Sequence, residues 1–156
     1  MNTTRTPRAA QLAAAAVFAL SAAACSDNTA TSAKALAIAA GDPALSWSAC
    51  PPVFPQGCTI AVLHGDPAKP NADIFLRVPA KYAIPAHWHS SPERMVLVTG
   101  RLEVTYKGQP AATLEPGAYA YGPAKLPHEA RCQSDDPCTL FIAFEGAVDA
   151  HAGGME

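Results

Sequence analysis

Three imidazoles and one carboxylate stand at spacings that can make a metal site. They are His87 and His89, separated by Trp88, then Glu93, and further on His128. Imidazole and carboxylate together suit one divalent transition metal, with Fe, Mn, Ni, Cu and Zn all open. Alternate residues of a strand share a face, so His87 and His89 are expected to project together into one cavity. Ser90-Ser91-Pro92 reads as a tight loop. Glu93 then opens the apolar run Met95-Val96-Leu97-Val98, which stops at Gly100. A β-hairpin is expected to return Glu93 beside the two histidines. His128 follows Pro123 and Pro127 and begins another β-like stretch. On an octahedral ion, four such ligands leave positions open for water, dioxygen or substrate.

The elements that must carry these residues are short. From Trp47 onward, apolar runs alternate with Pro and Gly, and fifteen prolines argue against long helices. Strands are expected at 59–63, 73–78, 83–89, 93–99, 101–106, 111–114, 117–121, 128–131 and 139–145. That even spacing implies an all-β barrel or sandwich over residues 45–149, with a fraying tail from Ala147 and a flexible C-terminus at 150–156. If Glu93 faces inward, Met95 and Leu97 do too. Phe75, Met95 and Tyr121 are candidates for the pocket wall, with outer-face packing the alternative for Phe75 and Tyr121. Tyr119, Tyr121 and Arg131 are weak acid–base candidates. His64 and His151 have no partner at ligand spacing and read as surface residues. Trp88, Arg94 and Glu129 should face away from the metal.

The first 24 residues read as a signal peptide. Arg5 and Arg8 form a basic start, Leu12 to Leu20 a short apolar stretch, and Ala22-Ala23-Ala24 a small-residue cleavage site before Cys25. The pattern is similar to a bacterial lipoprotein signal with Cys25 as the lipidated residue, although Ala22 stands where leucine is usual. An ordinary secretory signal cleaved after Ala24 is the alternative. The two arginines are not adjacent, which argues against a twin-arginine signal. Either route places the protein in the cell envelope of a bacterium, on the periplasmic side, with a lipid-anchored or flexible tether over 25–44. Membrane contact is then through the N-terminal lipid only. Loss of the two arginines takes the formal charge from −2 to −4, so no basic surface suggests nucleic acid.

Four cysteines remain besides Cys25, an even number in an oxidising compartment. They allow three pairings, of which the local Cys50–Cys58 and Cys132–Cys138 close most easily. Free buried thiols are the alternative. No Cys-x-x-Cys motif supports a redox enzyme.

The motif residues resemble the cupin superfamily. Its first motif runs glycine, five residues, His-x-His, three or four residues, glutamate, six residues, glycine. His87, His89, Glu93 and Gly100 fit without a gap, with Lys81 at the initial glycine position. Its second runs glycine, five residues, Pro-x-Gly, two residues, His, three residues, asparagine. Gly117, Pro123 and His128 fit, while Lys125 and Cys132 replace the second glycine and the asparagine. Lys125 suggests a turn that does not need positive φ, and Lys81 an altered turn geometry rather than altered metal binding. The segments Gly65-Asp66-Pro67 and Pro85 to His89 also resemble the cupin-like domain of metal-binding anti-sigma factors. The resemblance implies a single jelly-roll barrel with a metal held by His87, His89, Glu93 and His128. It also implies pairing of two copies through outer sheet faces, for which Val96, Val98 and Trp88 are apolar candidates.

Three functions stay open on this reading. One is a metal-dependent oxygenase, isomerase or hydrolase acting on a small polar molecule. The second is a non-catalytic module that binds or senses a small molecule or metal. The third is a barrel whose metal is purely structural. Fold alone does not choose among them. The anchor has its own test: Cys25→Ser is expected to move the protein from the membrane fraction to the soluble fraction, and unchanged fractionation rejects lipidation.

Overall fold

In the computed structural model, Met1 and residues 34–156 are described. The expected signal peptide, Cys25 and the first part of the tether lie outside the described residues. Residues 34–39 carry no regular secondary structure, and one compact unit spans Leu36–Glu156.

All nine expected strands form, with two short ones added. They are β1 (Ser48–Ala49), β2 (Thr59–His64), β3 (Ala72–Val78), β4 (Ala83–Trp88), β5 (Glu93–Thr99) and β6 (Leu102–Tyr106), then β7 (Ala112–Leu114), β8 (Tyr119–Gly122), β9 (His128–Cys132), β10 (Cys138–Phe144) and β11 (His151–Ala152). β1 and β11 are two residues long and leave no periodicity in the sequence. β11 pairs with β4 at His87 and Trp88, so the segment read as a fraying tail is tied to the barrel wall. The strands make two antiparallel sheets, ordered β1-β2-β3-β10-β5-β8 and β11-β4-β9-β6-β7. This is an all-β jelly roll, with no helix among the described residues.

Alternation builds the core between the sheets. β3 turns Ile74, Leu76 and Val78 inward, β10 turns Leu140, Ile142 and Phe144 inward, and β5 turns Glu93, Met95 and Leu97 inward. Each fully buried aliphatic side chain contributes about 1.5–3 kcal/mol. On the outer face of β5, Val96 and Val98 are half-buried.

The expected hairpin between His89 and Glu93 does not occur. β4 belongs to the five-stranded sheet and β5 to the six-stranded one. The loop 90–92 crosses from one sheet to the other, so histidines and carboxylate reach the interior from opposite walls.

A bulge in β4 decides which residues reach that interior. Ile84 pairs with Ala130, and His87 pairs with His128. Pro85 and Ala86 thus oppose the single residue Glu129. Strict alternation from buried Ile84 would turn Ala86 and Trp88 inward. The extra residue shifts the phase and turns His87 inward instead. Proline has no N–H to give the ladder, so a bulge is a place where it fits.

Both local disulfides form, Cys50–Cys58 and Cys132–Cys138, with Cα separations of 5.4 and 5.8 Å. Chain-entropy arguments give each short loop about 2–3 kcal/mol. Outside the barrel wall, the Arg77 guanidinium lies 3.9 Å over the Trp47 ring and donates to the Ala40 carbonyl at 2.7 Å. That pins the chain leading into β1.

The turn expectation for Lys125 is overturned. Its φ is +62°, and that of Lys81 is +61°. Both lysines hold the left-handed backbone that glycine takes more easily. The flanking strands set the turn, and the residue adapts to it. Lys81 gains a compensating role: its ammonium donates to the Gln133 carbonyl at 2.8 Å and sits 2.8 Å from Asp135. Gly100 has φ +85°, and a Cβ there would meet the Cys138 sulfur at 2.7 Å and its Cα at 3.0 Å.

Two substitutions with opposite signs follow. Lys125→Gly is expected to raise the unfolding free energy by about 0.5–1 kcal/mol. Gly100→Ala is expected to lower it by about 2 kcal/mol or more. Chemical denaturation of the two variants beside the parent checks both.

Candidate metal centre

His87, His89 and His128 are each buried, and they offer ring nitrogens that all lie within 4.8 Å of one another. The rings stand 4.2–5.2 Å apart by centroid. β4 supplies His87, the residue just past its end is His89, and β9 opens with His128.

Each imidazole is oriented by a main-chain carbonyl. Nδ1 of His87 donates to Pro85 at 2.8 Å, and Nδ1 of His128 donates to Leu126 at 3.2 Å. Nδ1 of His89 donates to Asp149, sixty residues away. A carbonyl only accepts, so the ring proton sits on Nδ1 and the Nε2 lone pair is left for a ligand bond. Burial first, then the neighbouring His128 and His89, push the His87 imidazole down to about 3. It is therefore neutral and ready to ligate at any physiological pH.

Glu93 approaches two of the three histidines from the opposite sheet. Its Oε1 is 3.1 Å from Nε2 of His128, and its Oε2 is 3.5 Å from Nε2 of His89. Burial works to raise its pKa, but the hydrogen-bonding reach of His128 and the three imidazoles together hold the carboxyl below its usual range. Burial likewise opposes the charged form of His128, and Glu93 overrides it and raises that imidazole. Oε1 is nonetheless buried with no well-aligned hydrogen-bond donor. A buried carboxylate with one oxygen lacking an aligned donor, beside the Nε2 atoms of His89 and His128, fits a divalent cation, which would take the place of a proton in the cluster.

Three further residues shape the centre, none of them visible as a motif. Gly122 faces Glu93 across the β5–β8 ladder. A Cβ at that position would sit 2.9 Å from the Glu93 Cγ and Oε1, so only glycine leaves room for the carboxylate. Phe54, from the loop closed by Cys50–Cys58, meets His87 edge-on at 4.9 Å. Tyr106 lies opposite His128 in the β6–β9 ladder, with ring centroids 5.3 Å apart. Burial, with Glu93 and Tyr119 adding to it, pushes the Tyr106 phenol up, and its hydroxyl has no partner. Its inward phase was readable from Leu102 and Val104, but not its place beside His128.

The pocket candidates separate. Met95 lines the cavity beside the histidines. Phe75 does not, because it lies on the opposite face of β3 from Ile74 and Leu76 and packs edge-on against Phe141 at 6.4 Å. Tyr121 does not either. It is 46% exposed on the outer face of β8, with Arg94 over its ring. Tyr119 and Arg131 are exposed as well, so none of the three acid–base candidates reaches the metal set. Trp88 points away as expected and stacks on His151 at 4.2 Å. His151 is more organised than a free surface residue, with Ser90 Oγ and Asp149 Oδ2 each 3.2 Å from its Nε2. His64 and Glu129 are exposed, and Arg94 pairs with Glu145.

The family model described as "Cupin domain" matches residues 74–144, a span that holds all four motif residues. No protein among curated sequences matches the chain. Solved structures do. A DMSP lyase of Ruegeria pomeroyi is 21% identical with a TM-score of 0.59, covering 69% of this chain and 60% of its own. A cupin-2 domain protein of Rhodospirillum rubrum is 14% identical with a TM-score of 0.60, covering 78% and 83%. An oxalate oxidase is 14% identical with a TM-score of 0.55, covering 67% and 59%. The chain spans less than two thirds of the length of the DMSP lyases it matches, and at these identities the likeness is one of fold. The family match running from β3 to β10, together with the jelly roll shared with solved cupins, supports the cupin superfamily for this barrel.

Proposed function

We propose that this protein is an exported, metal-dependent cupin that binds one divalent transition ion and uses it to act on a small molecule held in the barrel. The observation that carries the reading is the cluster of three carbonyl-oriented imidazoles, with a buried carboxylate against two of them. His87, His89 and His128 would hold the ion through Nε2, with Glu93 as a fourth ligand. When bound, such an ion supplies Lewis-acid activation of a coordinated atom. The chain's own contribution is orientation and exclusion of water. The Pro85, Leu126 and Asp149 carbonyls fix the rings, Gly122 admits the carboxylate, and Phe54 covers His87. Export is supported by the two disulfides, which persist in an oxidising compartment, and by the N-terminal signal pattern.

A second reading, a non-catalytic binder or sensor, is favoured by one observation. Among the described residues, the cavity wall has no carboxyl or imidazole beyond the metal set and Asp149, and no Tyr, Lys or Arg. Oxidation, isomerisation or hydrolysis would then have to rely on the ion and its ligands for proton movement.

The metal reading is tested by elemental analysis of the protein purified from the envelope. Near one Fe, Mn, Ni, Cu or Zn per chain is expected. His87→Ala combined with His128→Ala should abolish metal uptake and leave the β-sheet circular dichroism intact, and full occupancy in that variant would sink the site assignment. Gly122→Ala should lower metal affinity about 10–100-fold, the range for disturbed ligand support, with the fold unchanged. Wild-type affinity there would mean that Glu93 does not ligate.

A further inference from the structure

The cavity beside the three histidines is lined almost wholly by hydrocarbon. Ile84, Met95, Val104, Leu140, Ile142 and Phe144 make its walls, and Phe54 and Val148 stand with them. Its volume is about 60 Å³, roughly four to six times the minimum that holds one water. The polar side chains in its lining are those of His87, His89, Glu93 and His128, with Asp149 beside them, its carboxylate held by the Ser90 N–H and by His151. Among the described residues it has no Lys or Arg and no Ser, Thr, Asn, Gln, Tyr or Trp.

That inventory discriminates between ligand classes. A carboxylate or phosphate entering this space gives up its hydration, and no guanidinium, ammonium, hydroxyl or amide replaces it. The Glu93 carboxylate adds repulsion. A cation fares no better, because Glu93 is already faced by His89 and His128 at 3.5 and 3.1 Å. A ligand with a second hydrogen-bonding group would leave that group unpaired against Ile, Leu and Phe. One polar atom directed at the metal set and an otherwise apolar body meets every condition.

We propose that the cavity takes an uncharged molecule of about five non-hydrogen atoms, with one donor atom for the metal and an apolar remainder. The inference narrows the metal-centre reading, and it rests on that reading only for the role of the donor atom.

Acetone, acetate and acetamidinium have nearly the same shape and carry charges of zero, minus one and plus one. Their binding to the purified, metal-stripped protein at pH 8 tests the wall without the ion. Labelling methionine methyl groups with ¹³C gives a reporter inside the cavity, since Met95 lines it and Met95→Leu identifies its signal. A saturable shift of the Met95 methyl with acetone below about 0.1 M is expected, as befits so small a ligand, with acetate and acetamidinium at least tenfold weaker. Either ion binding within tenfold of acetone overturns the inference, and so does the absence of any saturable shift with acetone. Metal uptake is measured separately. Failure to load any ion would sink the metal-centre reading while leaving an acetone preference intact. Normal loading with an ion-preferring cavity would sink only the present inference.

Discussion

An ionised carboxylate sealed in a hydrocarbon interior must be answered by charge or by donors, or the fold loses more by burying it than it gains by packing around it. Glu93 is 2% exposed, and its answer is the trio of imidazoles. Most of the unusual features of the barrel can be traced to that requirement. The strand opposite Glu93 carries glycine where a side chain would displace the carboxylate. The five-stranded sheet breaks its own alternation to present His87. The chain end folds back so that the Asp149 carbonyl can hold His89. A protein that needed only a stable sandwich would gain from replacing the whole cluster with aliphatic side chains. Its presence at the centre of an apolar core supports the binding function proposed above.

How much of this was legible in the sequence depended on the separation of the partners. His87, His89 and Glu93 lie within seven residues, and their spacing carried the metal expectation without tertiary knowledge. The nine longer strands were legible because alternation and proline punctuation act locally. Contacts made across the barrel were not. The Asp149 carbonyl is sixty residues from His89, Gly122 meets Glu93 only through the β5–β8 register, and Phe54 reaches His87 because a disulfide loop folds over the mouth. Phe75 and Tyr121 were left open between pocket wall and outer face for a related reason. Parity says which residues of a strand share a face, but not which face of the sheet looks inward.

Lys125 shows a different kind of error. Lysine in place of a usual glycine suggested a turn without positive φ. Lys125 and Lys81 both take positive φ, because the strands on either side fix where the chain must reverse. A left-handed lysine costs about 1–2 kcal/mol, small against the burial of a dozen aliphatic side chains, so the barrel holds the turn and tolerates the residue. Local preference lost to tertiary constraint at both positions. At Lys81 the side chain then found use as a tie to the loop of the Cys132–Cys138 disulfide.

The bulge at Pro85 and Ala86 has a consequence for how this strand can change over time. On a regular strand, the residues that pack the core and the residues that join the histidine cluster would occupy one continuous series, and any slip would disturb both. Here the series is split. Ile84 belongs to the packing frame and His87 to the ligand frame, and a two-for-one step separates them. Mutations that retune hydrophobic fit before the step leave the frame of the ligands untouched. A single-residue insertion or deletion at the step, by contrast, exchanges His87 for a neighbour while the rest of the sheet keeps its phase. The step is thus where this barrel would most easily lose its histidine cluster and remain a barrel.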